Sequence, residues 1–111
     1  MNIVALVRVS TDKQDVNNQK FAITKKYSDA LITWFEETGV SGAKKFQNRP
    51  MLQDAIRTAK KLKCPLVVYS LSRLGRTYEV GQFLETTNIT VDVLDTPNLD
   101  DAIAGFHVAI N

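Results

Sequence analysis

The chain has 111 residues, 44% of them apolar, which is enough for one hydrophobic core but hardly for two. Five glycines, three prolines and the lack of low-complexity tracts or internal repeats argue against a disordered chain and against a repeat protein. No apolar run approaches the roughly 18 residues needed to span a bilayer, and a single cysteine excludes an internal disulfide. With only one histidine and no cationic leader at its start, the chain is predicted to be a cytoplasmic, metal-independent domain.

The net charge of +2 hides an uneven distribution of charge along the chain. All fourteen basic residues lie between Arg8 and Arg76, together with six acidic ones, so residues 1–76 carry +8. Residues 77–111 hold the other six acidic residues and no Lys or Arg, so they carry −6. This asymmetry favours an anionic partner for the basic part of the chain.

The first half of the chain predicts two strands, a helix and a loop. Residues 3–7 form a continuous apolar run, which is typical of a strand covered on both faces in a parallel sheet. Residues 13–30 are predicted to form a polar helix and residues 31–35 a second strand. A loop is predicted from Glu37 to Asn48.

The clearest helical pattern follows this loop. Pro50 suits the first turn of a helix, and Pro65 forces a stop. The apolar positions that recur at helical spacing between them are Leu52, Ala55, Ile56, Ala59 and Leu62.

The rest of the chain continues the alternation of strands and helices. It predicts a strand at 66–69, a basic loop at 70–76, a helix at 78–87, an edge strand at 89–93 and a helix from 99 that is still running when the chain ends. A βαβαβαβα order predicts a three-layer α/β/α fold, with a mostly parallel sheet of four to five strands and helices on both faces.

Basic residues follow the ends of three predicted strands. Functional loops in such folds lie at the carboxyl ends of the strands, which meet at one edge of the sheet. Chain topology therefore brings together Arg8, Ser10, Lys44, Lys45, Arg49, Arg73 and Arg76. Four guanidinium groups repel one another, and no carboxylate is obviously placed in these loops to neutralise them, so a phosphate is the expected occupant. Ser10 would lie beside that phosphate, in a positive field that lowers the hydroxyl pKa, as a candidate nucleophile.

Three separated motifs resemble one known family. They are Arg8-Val9-Ser10-Thr11 with Gln14 and Gln19, Gly39-Val40-Ser41-Gly42 followed by Arg49-Pro50, and Leu71-Ser72-Arg73-Leu74-Gly75-Arg76. In this order they resemble the catalytic domain of the serine recombinases, the resolvase/invertase family. The resemblance covers essentially the whole chain and implies a single resolvase-like catalytic domain over residues 1–111.

The resemblance also implies a mechanism and a set of roles. Ser10 would attack a DNA phosphodiester and form a 5′-phosphoserine link, using no metal and no nucleotide cofactor. The scissile phosphate would be bound by Arg8, Arg49, Arg73 and Arg76, with supporting hydrogen bonds from Gln14 and Gln19. Further supporting candidates are Ser72, Lys44 and Lys45. The partners would be double-stranded DNA and a second copy, in dimers that pair into tetramers.

Two departures from the family pattern bear on this expectation. The family usually has Asp where this chain has Ser72, so the resemblance leaves open a catalytically impaired relative that acts as a DNA-binding or oligomerisation module. The chain is also expected to end within its final helix, before the family's separate DNA-binding region.

Simpler interpretations of the same residues also stay open. Ser10 and Thr11 could only cap the next helix, and Arg49 could be a solvated loop charge. A small α/β domain that binds a phosphorylated metabolite is a third functional class, although no G-x-x-x-x-G-K-[ST] loop is present.

Overall fold

A computed structural model describes residues 1–9, 13–38, 45–70 and 77–96 of the chain. The predicted final helix from residue 99 lies outside these residues. The strands are β1 (Asn2–Val9), β2 (Leu31–Thr38), β3 (Leu66–Val68) and β4 (Val91–Val93). The helices are α1 (Lys13–Lys26), α2 (Pro50–Leu62) and α3 (Thr77–Thr86), with a 3₁₀ turn at Phe46–Asn48 before α2.

The four strands form one sheet in the order β2-β1-β3-β4, and every described pair is parallel. The three-layer α/β/α prediction is confirmed. β1 lies inside the sheet, and β4 lies at one edge, as the alternating pattern near residue 91 predicts. The carboxyl ends of β1 and β2 therefore lie side by side.

Two hydrophobic clusters lie on opposite faces of the sheet. Alternate residues of β1 contribute to one cluster or to the other. Val4 and Leu6 pack with the apolar stripe of α2, whereas Ile3, Ala5 and Val7 pack with Ile23 of α1. Phe83 brings α3 to the α2 face. Successive strand residues point to opposite faces, so Arg8, with the same parity as Leu6, projects from the α2 face.

The first two strands are longer than the sequence pattern predicts. Because charged residues interrupt the apolar run, the prediction ended β1 at Val7 and β2 at Phe35. In the structure, β1 and β2 stay in register through Arg8↔Glu37 and Val9↔Thr38. Arg8 and Glu37 therefore belong to the sheet itself, and the prediction that placed Glu37 in a loop is wrong.

Helix α1 ends at Lys26, four residues before the predicted end, and a polar cluster ties this end to β4. The hydroxyl of Tyr27 donates a hydrogen bond to Asp92, and the Nζ of Lys26 lies 2.7 Å from the same carboxylate. Burial, followed by the hydrogen bond to Asp92 and its charge, raises the pKa of Tyr27 well above 10.

This cluster predicts a pH dependence that is measurable by tyrosinate absorbance. Because folding raises the pKa of Tyr27, its contribution to stability is complete below pH about 10 and is lost as the pH rises through the folded-state value. In a titration to alkaline pH, we expect part of the tyrosinate absorbance to appear only at a pH above that of an ordinary tyrosine. Tyr27→Phe should remove only this part. If the absorbance at the higher pH is unchanged in the variant, it does not come from Tyr27, and the assignment is contradicted.

Two broader properties follow from the described residues alone. None of the described helices is both long enough and apolar enough to cross a membrane. Among the same residues, no three His, Cys, Asp or Glu side chains come together as a group that could hold a metal ion.

Candidate active site

The described part of the site lies at the carboxyl ends of β1 and β2. Arg8 and Glu37 are register partners there, so their side chains leave the same face of the sheet, towards α2. Arg49 immediately precedes α2, which packs on this face of the sheet, and its side chain reaches Glu37. One carboxylate thus shares this face of the sheet with two of the predicted phosphate-binding arginines.

Arg49 and Glu37 form a buried, two-point ion pair. The Nε of Arg49 donates to Oε2 of Glu37 at 2.9 Å, and Nη2 donates to Oε1. Arg49 is 0% exposed and Glu37 1% exposed. The guanidinium carbon also lies 5.4 Å from the centre of the Phe46 ring, within the range of a cation–π contact. These contacts fix the position of Arg49 more tightly than a single hydrogen bond would.

This geometry corrects two sequence-based interpretations. Arg49 is not a solvated loop charge, because its side chain is fully buried. The expectation that no carboxylate neutralises the arginines is wrong, because Glu37 neutralises Arg49. A buried guanidinium without a partner would be costly, which is why burial and pairing occur together here.

Local backbone geometry directs Arg49 to this place. The residue before a proline avoids helical conformation, and Arg49 is extended, with φ −117° and ψ 92°. Its carbonyl oxygen still accepts a hydrogen bond from the Gln53 amide at 3.0 Å, so Arg49 is the N-cap of α2. Pro50 therefore starts the helix, and the extended backbone of Arg49 directs the Arg49 side chain away from the helix axis.

Gln19 of α1 is 0% exposed and binds the backbone of Arg8. Its Oε1 accepts a hydrogen bond from the Arg8 amide at 3.3 Å, and its Nε2 donates to the Arg8 carbonyl at 3.1 Å. Nε2 also donates to Oδ2 of Asp15 at 3.1 Å. The sequence predicts that Gln19 supports the phosphate site, and its described contacts are with the Arg8 backbone in β1 and with Asp15 in its own helix.

Sheet geometry explains why a side chain takes this position. β3 pairs with β1 only over Val4, Ala5 and Leu6, whereas β2 pairs with β1 over its whole length. Val4 directs its amide to the β3 side, where it donates to Pro65. Arg8 has the same parity, so its amide and carbonyl point past the end of β3. The Gln19 amide takes the place of the missing strand.

Two other predicted residues are described and exposed. Gln14 lies in the first turn of α1, and Lys45 immediately precedes the 3₁₀ turn. Lys45 lines an open groove of about 1010 Å³ between α2 and α3, together with Phe46, Gln53, Lys60 and Phe83 among others. The structure thus brings together Arg8, Gln19 and Arg49, whereas Lys45 lies on the groove between α2 and α3.

Five predicted residues lie outside the described part of the chain. They are Ser10, Lys44, Ser72, Arg73 and Arg76. Their roles stay predictions.

Sequence reasoning missed Glu37 and Asp15. Glu37 is two residues beyond Phe35, so it lies on the same face of the strand, but a predicted strand that ends at Phe35 does not include it. Asp15 precedes Gln19 by four residues, the spacing that places two side chains on consecutive turns of a helix. That spacing was visible, but only the structure shows that Gln19 is buried.

Comparison with solved structures shows the fold. The N-terminal catalytic domain of TP901-1 integrase is 22% identical, with a TM-score of 0.73 over 100% of this chain and 99% of that one. The C-terminal catalytic domain of ISC1926 TnpA, described as an IS607-like serine recombinase, is 16% identical. Its TM-score is 0.64, over 99% of this chain and 82% of that one. None of the curated proteins compared with the chain matches it.

The family assignment comes from sequence. The family model for the resolvase N-terminal domain matches residues 3–110, nearly the whole chain. The match includes all three motifs and the buried residues that join β1, β2 and α2. This chain therefore belongs to the resolvase N-terminal domain family, the catalytic domains of site-specific DNA recombinases.

Proposed function

We propose that Ser10 is the nucleophile that cleaves and rejoins DNA in this recombinase domain. The Ser10 oxygen forms a bond to the scissile phosphorus as the bond from phosphorus to the 3′ oxygen breaks. The serine proton leaves to a base or to water, and the departing 3′ oxygen gains a proton. Attack of a 3′-hydroxyl on the 5′-phosphoserine reverses these steps and restores the DNA strand. The phosphoserine conserves the phosphodiester bond, so this scheme needs no nucleotide cofactor.

The observation that carries this proposal is the fixed charge constellation at the end of β1. Ser10 follows Val9 directly, and consecutive Cα atoms are about 3.8 Å apart, so the chain holds Ser10 close to Arg8. Arg49 is held in place on the same face by Glu37 and Phe46. Preorganised positive groups stabilise a phosphorane-like transition state better than mobile ones, because they need little reorganisation during the reaction.

Glu37 changes how the positive charge is divided among the arginines. With Arg49 neutralised, Arg8, Arg73 and Arg76 would carry the excess positive charge that attracts the phosphate. Arg49 would contribute a guanidinium in a fixed position, which would stabilise the negative charge of the phosphate in the transition state. In this scheme Gln14 supports the phosphate from α1, and Lys44, Lys45 and Ser72 are further supporting candidates.

We infer that the partner is double-stranded DNA and that the active assembly is a homodimer that pairs into a tetramer on DNA, in the cytoplasm. The +8 charge of residues 1–76 favours the DNA partner. Resolution, inversion, transposition and integration all fit this chemistry. A relative that binds DNA without cutting it is the alternative, and Ser72 in place of the family's Asp motivates it.

A test of this proposal does not require the target site to be known. Cells that produce the protein are lysed directly in denaturant, and protein-linked DNA is recovered and sequenced at its ends. We expect DNA with 5′ ends blocked by protein and free 3′-hydroxyls. Ser10→Ala should lose the adduct completely while the protein accumulates to the same level.

The outcomes separate the three functional classes. An adduct that persists in Ser10→Ala would overturn the assignment of the nucleophile. DNA binding by the purified protein with no adduct under any condition would indicate the non-catalytic relative. Binding of a small phosphate ester without any affinity for DNA would indicate the metabolite-binding class.

A further inference from the structure

We infer that Asp15 is a positioning residue for DNA cleavage, acting through Gln19 on the strand end that carries Arg8 and leads to Ser10. This inference rests on the proposed function. None of the three motifs includes Asp15. Its role follows from the described contacts at the start of α1.

The Asp15 carboxylate anchors a side chain that is otherwise committed to the β1 backbone. Gln19 has one acceptor oxygen and two N–H donors on its amide. The oxygen accepts from the Arg8 amide, one N–H donates to the Arg8 carbonyl, and the other donates to Asp15 Oδ2. These three bonds use the full donor set of the amide and its acceptor oxygen, in a side chain that is 0% exposed.

Loss of the carboxylate would leave one N–H of a buried amide without this acceptor. A buried donor without a partner is costly, and a hydrogen bond to an ionised group is stronger than one between neutral groups. Water entering to satisfy the N–H would loosen the grip of Gln19 on Arg8. Within the described residues, the pairing of β1 with β3 stops at Leu6, so on that side the hydrogen bonds from Gln19 hold the end of β1.

The consequence for the reaction is geometric. Arg8 is in the strand, and Ser10 follows it by two residues, so a displacement of the Arg8 backbone shifts both groups relative to the phosphate. A misplacement of about 1 Å can lower the rate of a reaction about 100-fold without removing any reacting group. Asp15 would therefore affect cleavage more than DNA binding.

Three variants of the protein test this role. Asp15→Leu removes the acceptor at similar size, Asp15→Asn keeps an oxygen that accepts from Gln19, and Asn18→Ala is a control at an exposed position of the same helix. At saturating DNA, we expect Asp15→Leu to form the phosphoserine adduct about tenfold more slowly, with DNA affinity within about twofold. Asp15→Asn should recover most of the rate, and Asn18→Ala should match the parent protein.

A spectroscopic measurement separates this inference from the proposed function. In ¹⁵N-labelled protein without DNA, Asp15→Leu should shift the Gln19 side-chain NH₂ resonances and speed hydrogen exchange at the Arg8 amide, whereas Asp15→Asn should do neither. If Ser10→Ala keeps its adduct, the proposed function fails, but these spectra still report the contact. Equal cleavage rates in Asp15→Leu and the parent protein, with Ser10 confirmed as the nucleophile, would overturn the inference.

Discussion

Glu37→Ala is expected to lower the free energy of unfolding by about 3–5 kcal/mol, because it leaves the Arg49 guanidinium buried without its counter-charge. Both side chains of the pair are fully buried, so water cannot replace the carboxylate without opening the structure. The measurement is urea unfolding followed by circular dichroism. A loss below about 1 kcal/mol would show that Arg49 is not held as the structure describes.

The adjacent residue supplies a matched control. Glu36 also pairs with a cation, Lys20, but both side chains are well exposed. An exposed pair of this kind contributes about 0–1 kcal/mol. Glu36→Ala should therefore unfold within about 1 kcal/mol of the parent protein. The same substitution at two adjacent glutamates, one buried against α2 and one exposed, is therefore expected to cause a large loss of stability at Glu37 and a small one at Glu36.

A double replacement separates stability from catalysis. Replacing both partners, as in Glu37→Leu with Arg49→Met, removes the buried charge together with its counter-charge, so stability should recover to near that of the parent protein. The double variant should not form the adduct, because the Arg49 guanidinium is gone. Recovery of cleavage along with stability would show that Arg49 serves the fold alone.

The fold was predictable because its signals are local and repeated. The apolar run at residues 3–7 and the helical spacing from Leu52 to Leu62 each specify an element by pattern, and their alternation specifies a parallel sheet. Strand ends were less predictable. β2 continues through Glu36 and Glu37 because β1 pairs with it and Arg49 neutralises one of the charges, and neither partner is near in sequence.

The sequence predicted which residues belong to the candidate site better than it predicted the contacts between them. Topology alone brought Arg8 and Arg49 to one edge of the sheet, and the motifs added Gln19. The sequence could not show that Gln19 binds backbone or that Glu37 binds Arg49. Both contacts depend on where β3 stops and on which face Glu37 occupies, which are properties of the assembled sheet.

Gln19→Leu is expected to lower both the stability of the protein and the rate of DNA cleavage. Leucine fills a similar volume but leaves the Arg8 amide and carbonyl without the partners that replace β3. Each such group costs about 1–3 kcal/mol when buried, and Arg8 is partly buried, so we expect a loss of about 2 kcal/mol in unfolding free energy. Adduct formation should fall at least 100-fold, because the strand end that leads to Ser10 is no longer fixed.

Gln14→Leu makes the same chemical change five residues earlier in the same helix, at an exposed position. Its effect on unfolding should stay within about 0.5 kcal/mol. If Gln14 touches the phosphate and Gln19 holds the strand, then Gln14→Leu lowers cleavage with stability unchanged, whereas Gln19→Leu lowers both and speeds hydrogen exchange at the Arg8 amide. Equal stability losses in the two variants would refute the division of roles, because a lost strand partner destabilises the free protein and a lost phosphate contact does not.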